Sequence, residues 1–250
     1  MNLVYYTLGY SGSYLDVIGL SIASLRRSGY TGHIAVLCDE MFLAQCKATL
    51  GPDILYKTFP NSTTPEQASM NKLRIFDLPD IDSYDRVLFL DSDILVHMDT
   101  APLFQSIVTP GTLYVYTETT KQEDHQALYW GLQSYSPEDL VHFRETNVHV
   151  FNAGCFAFVR EDGMKRHFLA VLRMIDQHTG PFFYEQSFLN VYFNRTGATD
   201  RTLLTSANYV LNPDRSRAYP GHLVHFSGDP GSGPTKYQRM AAYIRVHLTT

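Results

Sequence analysis

The sequence predicts a single α/β domain in which a mixed, mainly parallel central sheet is flanked by helices. The chain has 250 residues and is 44% hydrophobic, so it is long and apolar enough to bury one large core. In its first part, segments of strand length alternate with segments of helical periodicity. This alternation is typical of parallel strands with helices on the sheet faces. No internal repeat or linker interrupts it, so we expect one domain over residues 1–250.

The first part of the chain is the more regular. After a first apolar strand, apolar side chains recur every three or four residues, as on one face of a helix, until Ser28 and Gly29 provide a helix end. The same strand and helix signals then repeat along the chain. The predicted strands are residues 3–8, 33–38, 54–59 and 87–90, and the predicted helices are residues 14–27, 41–50 and 67–78.

The second part of the chain is less regular. A long polar and aromatic connection at 118–149 separates two strand-like segments, and a loop rich in glycine and proline at 227–234 precedes a closing helix. The predicted strands are residues 112–117, 150–159 and 222–226, and the predicted helices are residues 161–178, 185–193 and 236–248.

Charge and cysteine content exclude several classes of protein. The net charge is -5 and the pI is about 6.0, so the chain lacks the basic excess that binds phosphate backbones, and we expect no nucleic-acid partner. The three cysteines, Cys38, Cys46 and Cys155, are widely spaced and predict neither a disulfide framework nor a zinc site. The N-terminus has no signal-peptide pattern and no segment is long enough to span a bilayer, so we expect a cytoplasmic protein without a transmembrane segment.

Residues 87–96 carry the strongest local signal. Four apolar residues run into Asp91-Ser92-Asp93, and the chain then becomes apolar again. Residues two apart in a strand share a face, so both acids can converge on one cation, and two buried acids need a positive partner such as a divalent metal. An Asp-Ser-Asp turn explains these ten residues equally well. Their place at the carboxyl end of the fourth predicted strand favours a site, because ligands of open α/β sheets bind there.

Three further features are candidates for binding or catalysis. His225 ends a predicted strand, and two carboxylates with one imidazole, completed by diphosphate oxygens, suit Mn²⁺ better than Mg²⁺. Asn152 precedes two small residues at the start of a strand, which indicates either a close approach to the backbone or a β-bulge. Glu185 and Gln186 open a helix, where a carboxylate also serves as a simple partner of the helix dipole.

Six motifs in this order resemble glycosyltransferase family 8, the group of glycogenin and the bacterial lipopolysaccharide galactosyltransferases. The D-x-D element alone is weak, but the six together span most of the chain and are specific. They are Tyr5-Tyr6-Thr7-Leu8 with Tyr14, Asn71-Lys72-Leu73, residues 87–96, Phe151-Asn152-Ala153-Gly154, Glu185-Gln186 with Leu189-Asn190, and His225-Phe226-Ser227-Gly228 with Lys236.

The resemblance implies a Rossmann-like GT-A fold and a retaining transfer of a hexose from a UDP-sugar to a glycan, protein or lipid-linked hydroxyl acceptor. Mn²⁺ is the implied cofactor, with Mg²⁺ as an alternative. Residues 1–96 would form the nucleotide-binding half, and residues 97–250 the half that binds the sugar and the acceptor. The implied metal ligands are Asp91, Asp93 and His225. The implied donor-binding residues are Thr7, Leu8, Tyr14, Lys72, Asp91, Ser92, Asn152, Ala153, Gly228 and Lys236, and the implied catalytic residues are Glu185 and Gln186.

Two positions depart from the family pattern. The family usually has Asp where this chain has Glu185, and its lysine follows the HF-x-G glycine more closely than Lys236 does. Either Lys236 or the glycine-rich loop is expected to bind the diphosphate. Two routes would retain the anomeric configuration of the transferred sugar. In the first, Glu185 acts as a nucleophile and forms a covalent intermediate. In the second, the acceptor attacks on the same face as the leaving group and Gln186 stabilises this attack. The connection at 118–149 is either an acceptor-binding or lid segment or a surface loop that packs its own aromatics.

Two other functions fit part of the pattern. In a phosphatase of the haloacid dehalogenase type, Asp91 would be the nucleophile and Asp93 the acid/base. That class usually carries the motif on its first strand, whereas here the motif follows the fourth. A catalytically idle nucleotide-sugar-binding module would keep the fold without turnover, and the intact set of Asp91, Asp93 and His225 argues against it.

Overall fold

The computed structural model describes residues 1–118, 136–146, 149–178, 184–228 and 233–248. Strands β1 to β10 span Asn2–Leu8, His33–Asp39, Ile54–Phe59, Arg86–Leu90, Ile94–His97, Leu113–Thr117, Phe151–Val159, Thr199–Asp200, Tyr209–Leu211 and His222–His225. Helices α1 to α8 span Leu15–Arg27, Leu43–Leu50, Pro65–Met70, Ala101–Ser106, Pro137–Glu145, Asp162–Gln177, Glu185–Thr196 and Lys236–His247.

Seven strands form the central sheet in the order β3-β2-β1-β4-β7-β6-β8. The first four of these are parallel to one another, β7 is antiparallel to both of its neighbours, and β6 and β8 are parallel. The predicted mixed, mainly parallel sheet is therefore confirmed. Because β1 and β4 are parallel neighbours, their carboxyl ends lie side by side at one edge of the sheet.

Both faces of the inner strands β2, β1, β4 and β7 are buried, which explains why these strands are apolar at most positions. Successive residues of β1 point to opposite faces. Val4 and Tyr6 belong to the core that α1 and α2 cover. Leu3 and Tyr5 belong to the other core, which the segment Asn71–Asp77 covers together with α6 and α7.

A second sheet of three strands, in the order β5-β10-β9, was not predicted from the sequence. Only β10 was expected as a strand: β9 has three residues, too few for a clear alternation, and β5 directly follows the Asp-Ser-Asp sequence within the run 87–96. β5 continues from β4 through residues 91–93 but pairs with β10, which is antiparallel to it. This sheet therefore brings the C-terminal part of the chain to the end of β4.

One predicted helix differs in the structure. Residues 67–78 form the end of α3 and a 3-10 segment, Asn71–Asp77, with non-helical dihedral angles at Arg74. α3 begins earlier than predicted because Thr64 accepts a hydrogen bond from the N–H of Gln67 at 3.2 Å and Pro65 occupies the first helical position. The tighter 3-10 turn keeps Lys72 buried beside the sheet.

Besides β5 and β9, three further strands and α-helices of the described residues lie outside the predictions: α4, β8 and α5. α5 falls in the connection at 118–149, of which residues 119–135 and 147–148 lie outside the described residues. Within the described ranges, no helix combines the length and the apolar character that crossing a bilayer requires.

Two helices begin at residues of the candidate site. α8 starts at Lys236, directly behind a capping box formed by Thr235 and Gln238. α7 starts at Glu185 after Tyr184, which has a φ of 94°, a left-handed conformation that costs a non-glycine residue about 1–3 kcal/mol. The first residues of both helices lie at the cleft described below.

Candidate active site

A cleft of about 450 Å³ lies at the carboxyl ends of β1 and β4, and it contains every site residue predicted from the sequence. Its size is within the range of small-molecule sites in proteins. The lining residues are Thr7, Leu8, Gly9, Tyr10, Tyr14, Pro65, Ala68, Ser69, Lys72, Asp91, Ser92, Asp93, Glu118, Asn152, Ala153, Gly154, Tyr184, Glu185, Gln186, His225, Ser227, Gly228 and Lys236.

Asp91, Ser92 and Asp93 form the turn that carries the chain from β4 in the central sheet to β5 in the second sheet. The N–H of Ile94 donates to the carbonyl oxygen of Asp91 at 3.2 Å, which closes the turn. The expectation that both acids share one strand face is therefore wrong, because neither residue lies in a strand. The turn itself brings both carboxylates to the cleft, so the turn and site interpretations of the sequence describe one structure.

His225 meets these acids because β10 pairs with β5. In this register His225 lies opposite Ile94, and the N–H of Phe226 donates to the carbonyl oxygen of Asp93 at 2.9 Å. Nε2 of His225 is 3.1 Å from Oδ1 of Asp93, and ligand atoms of Asp91, Asp93 and His225 all lie within 4.8 Å of one another. Two carboxylates and one imidazole at these distances fit a divalent cation.

Gly154 leaves open the space between these ligands. A Cβ at this position would lie 2.6 Å from Cε1 of His225 and 2.7 Å from both Oδ1 of Asn152 and Oδ2 of Asp91. The carbonyl oxygen of Gly154 also accepts from the N–H of Asp91 at 2.7 Å, so β7 approaches the acid turn through its backbone. The pairing of β6 with β7 shifts register opposite this segment, so the close approach and the bulge are both present.

Lys72 links the acid turn to helix α7. Its Nζ is 2.7 Å from Oε1 of Glu185, 3.3 Å from Oδ1 of Asp91 and 3.3 Å from the carbonyl oxygen of Ala153. Burial alone would lower the pKa of Lys72, but the negative charges of Asp91 and Glu185 raise it above its ordinary value. The lysine is therefore charged at neutral pH and neutralises two carboxylates that come from different elements.

Lys236 reaches the acid turn even though it lies later in the chain than the family pattern has it. Its Nζ is 2.5 Å from Oδ2 of Asp93 and 5.7 Å from the ring centroid of Tyr14. Burial alone would raise the pKa of Asp93, but His225 and Lys236 hold it well below its ordinary value. Asp93 is therefore an ionised, buried carboxylate, which is the state a metal ligand requires. The glycine-rich loop at 227–234 is described only at its two ends.

Two side-chain amides of α7, those of Gln186 and Asn190, form hydrogen bonds with the backbone of β7. Asn190 accepts from the N–H of Phe151 at 2.9 Å and donates to its carbonyl oxygen at 3.0 Å, and Oε1 of Gln186 accepts from the N–H of Ala153 at 2.9 Å. Oε2 of Glu185 is buried, and no hydrogen bond to another described residue satisfies it. A buried carboxylate oxygen without a donor is costly, and Glu185 also lines the cleft, so this residue is a candidate for contact with a ligand.

Two acids that hold residues of the cleft in place were not predicted from the sequence. Glu118, just after β6, accepts from Nδ2 of Asn152 at 2.6 Å. Asp39, at the end of β2, accepts from the N–H of Tyr10 at 2.8 Å and from Nδ2 of Asn71 at 3.3 Å, and so holds the loop after β1. An acid at the end of an apolar strand is the signal that identified the turn after β4, and the same signal was available for Asp39.

Comparison with solved structures shows the fold. The chain is similar to the galactosyltransferase LgtC in complex with donor and acceptor sugar analogs, with 15% identity, a TM-score of 0.67 and coverage of 100% of this chain and 97% of LgtC. An active-site mutant of LgtC matches with a TM-score of 0.64, also at 15% identity and with the same coverage of both chains. The bifunctional glycosyltransferase WbbM matches over 99% of this chain but only 46% of its own, with 16% identity and a TM-score of 0.56. These similarities show that the chain has the GT-A fold of glycosyltransferases.

The family follows from the sequence itself. The profile of glycosyl transferase family 8 matches residues 7–228, so the chain belongs to this family and is a glycosyltransferase. The comparison with curated protein sequences gives no significant match. Membership of this family favours a transferase over the phosphatase alternative, whose motif would lie on the first strand.

Proposed function

We propose that this glycosyltransferase is Mn²⁺-dependent and retaining, and that it moves a hexose from a UDP-sugar to a hydroxyl group of a glycan, protein or lipid-linked acceptor. The observation that carries the proposal is the cluster of Asp91, Asp93 and His225 inside a cleft of suitable size for a nucleotide sugar. The similar LgtC structure contains donor and acceptor sugar analogs, which supports this use of the cleft.

The acid turn and the two lysines form the proposed diphosphate site. Two carboxylates and an imidazole suit Mn²⁺, with Mg²⁺ as an alternative that prefers an all-oxygen shell. Such a metal supplies Lewis-acid stabilisation of the departing diphosphate. Lys72 and Lys236 add ammonium groups beside the same acids, where they stabilise negative charge as it develops on phosphate oxygens. Ser92 and Gly228 line the same cleft and complete this part of the proposed site.

The two halves of the chain are assigned different tasks. Residues 1–96 supply the proposed nucleotide pocket and both acids of the metal cluster. Residues 97–250 supply the residues assigned to the donor sugar and, we propose, those that bind the acceptor. His225, Gly228 and Lys236 are the exceptions: the second sheet carries His225 and α8 carries Lys236 to the acid turn, and Gly228 lines the same cleft.

Thr7, Leu8 and Tyr14 form the proposed uridine pocket. Thr7 and Leu8 end β1, and Tyr14 directly precedes α1, so both segments open onto the cleft. Tyr14 is 39% exposed, which leaves part of its ring accessible to a base. Stacking on an aromatic ring binds any base without requiring a particular hydrogen-bond pattern.

Replacement of Tyr14 by alanine is expected to weaken UDP binding by about 1–3 kcal/mol, because the base loses its stacking partner. Isothermal titration calorimetry with UDP and Mn²⁺ measures this loss. The matched control is Tyr14→Phe, which keeps the ring and is expected to bind UDP nearly as well as the unchanged protein. Equal affinities for all three proteins would remove Tyr14 from the pocket.

Asn152, Ala153, Glu185 and Gln186 are assigned to the donor sugar. Oε1 of Glu185 already pairs with Lys72 at 2.7 Å, and the unsatisfied Oε2 fits a sugar hydroxyl group. We therefore assign Glu185 to orienting the sugar. Oε1 of Gln186 accepts from the N–H of Ala153, which leaves the NH₂ group of Gln186 to donate to the departing diphosphate while the acceptor attacks on the same face.

Glu185→Gln is expected to lower kcat about 10- to 100-fold, because a hydrogen bond to a charged group contributes about 1.5–3 kcal/mol. Initial-rate kinetics with a saturating UDP-sugar measure the change, and Glu40→Gln at an exposed position is the control. A nucleophilic Glu185 would instead lose more than about 10⁴-fold. Mass spectrometry of the unchanged protein would then detect a glycosyl adduct on Glu185, and such an adduct would contradict the orienting role.

The proposed activity is tested by screening a panel of UDP-sugars for Mn²⁺-dependent release of UDP. We expect release from at least one UDP-hexose, loss of that release with a chelator and its return when Mn²⁺ is added in excess. Proton NMR of the product of the active donor then reads the anomeric configuration. No release from any donor in excess Mn²⁺ would identify an idle binding module, and an inverted product would overturn retention.

A further inference from the structure

Tyr209 lies behind the cleft and contacts the imidazole that completes the acid cluster. It belongs to β9, is 1% exposed, and its hydroxyl oxygen is 2.5 Å from Nδ1 of His225. Its ring stacks on Tyr116 at a centroid distance of 4.3 Å. Tyr209 therefore occupies one nitrogen of His225 from the protein side, and the other nitrogen, Nε2, faces Asp93.

The direction of this hydrogen bond follows from the groups around Asn152. Its Oδ1 accepts from the N–H of Gly154 at 2.7 Å and its Nδ2 donates to the carboxylate of Glu118 at 2.6 Å, so the orientation of the amide is fixed. The hydroxyl group of Tyr209 lies 3.4 Å from the same Oδ1 and donates to it. A lone pair of the Tyr209 oxygen is then left for Nδ1 of His225, which donates to it once Nε2 gives its own lone pair to a metal.

We propose that Tyr209 is a positioning residue that holds His225 in the orientation and tautomer needed for metal binding. With the proton on Nδ1, Nε2 presents its lone pair to the cleft, as a metal ligand must. This inference rests on the metal site proposed above, but it concerns a residue outside the cleft and outside the motifs found in the sequence.

Strand pairing alone does not fix the orientation of the imidazole ring of His225. The pairing of β10 with β5 and β9 fixes the backbone of His225, but rotation about the bond from Cβ to the ring still exchanges its nitrogen and carbon atoms. The hydrogen bond to Tyr209 selects one of the two ring orientations. Glu118 and Asn152 support that bond in turn, so a chain of donors leads from His225 Nδ1 through Tyr209 and Asn152 to Glu118.

The first test compares Mn²⁺ affinity in the unchanged protein, Tyr209→Phe and Tyr116→Phe, using electron paramagnetic resonance of free Mn²⁺. Tyr209→Phe removes only the hydroxyl group and is expected to weaken Mn²⁺ binding about 10- to 100-fold, the usual effect of losing a group that orients a metal ligand. Tyr116→Phe removes a hydroxyl group from the stacked ring and leaves the bond to His225, so its affinity is expected to be unchanged. Thermal unfolding confirms that each variant is folded.

The second test needs no variant. In the Co²⁺-loaded protein, proton NMR in water is expected to show a shifted, exchangeable Nδ1–H signal of His225 that exchanges slowly with D₂O, because Tyr209 holds this proton. Equal Mn²⁺ affinity in the two tyrosine variants, or a rapidly exchanging or missing Nδ1–H signal in the Co²⁺-loaded protein, would overturn the role of Tyr209. Failure of the unchanged protein to bind Mn²⁺ at all would overturn the metal site itself, and this inference with it.

Discussion

Asp93→Asn is expected to abolish Mn²⁺-dependent UDP binding and to lower turnover about 10²- to 10⁴-fold. The substitution keeps the size of the side chain but removes the negative charge that His225 and Lys236 both face. The loss corresponds to about 3–5 kcal/mol of stabilisation at the departing diphosphate, which is in the range expected for metal-ion catalysis. Titration calorimetry of UDP with and without Mn²⁺ measures the binding, and UDP release measures the turnover.

The control for this substitution is Asp53→Asn, which makes the same chemical change at an exposed position away from the cleft. We expect its UDP binding and turnover to match the unchanged protein. The proposed metal site is refuted if Asp93→Asn binds Mn²⁺ and UDP as tightly as the unchanged protein does.

Gly154→Ala is expected to disable the cleft although it adds only one methyl group. The added carbon would lie 2.6 Å from Cε1 of His225 and 2.7 Å from Oδ2 of Asp91, so both proposed ligands must move. We expect the free energy of unfolding to fall by about 1–3 kcal/mol, the usual cost of overpacking. Turnover is expected to fall at least about 10²-fold, because displacements of about 1 Å in a site have that effect. Denaturant unfolding and UDP release measure the two losses.

The matched control is Gly19→Ala, the same change within helix α1. There the new carbon would lie 3.8 Å from Cδ2 of Leu50, an ordinary contact. Alanine is the better helix former, so this variant is expected to be about 0.5–1 kcal/mol more stable, with unchanged turnover. If the two variants change stability in the same direction and by similar amounts, the close approach at Gly154 is not what disables the cleft.

The regular part of the fold was predictable because its signals are local. β1 to β4 are each marked by an apolar run, and α1 by a helical period that ends near Gly29, so the order of elements could be inferred without long-range contacts. The sequence of the segment Asn71–Asp77 predicts an α-helix because 3-10 and α-helical turns share nearly the same apolar spacing over a few residues. β9 has only three residues and cannot show an alternation, and only three residues separate β5 from the end of β4.

The candidate site was predictable only in part, for a related reason. The residues carried over from the family resemblance all line one cleft. Glu118 and Tyr209 were missed because their importance lies in partners far away in the chain, at Asn152 and His225. Neither a period nor a motif marks such a pairing, which depends on the register of strands. The sequence of residues 91–93 allows a turn and a site as alternatives, whereas in the structure the turn between the two sheets forms the site.

The partners of Asp93 have a consequence for the order in which the site assembles during synthesis. Lys72 precedes Asp91 by only 19 residues, so this acid has its partner as soon as the first four strands are made. Lys236 lies 143 residues after Asp93, and His225 also comes from the last strand. Domains fold as the chain emerges, and contacts of long separation form late. Synthesis must therefore reach Lys236 before Asp93 gains both of its partners, so the cleft is completed only after the strands of the central sheet have been made.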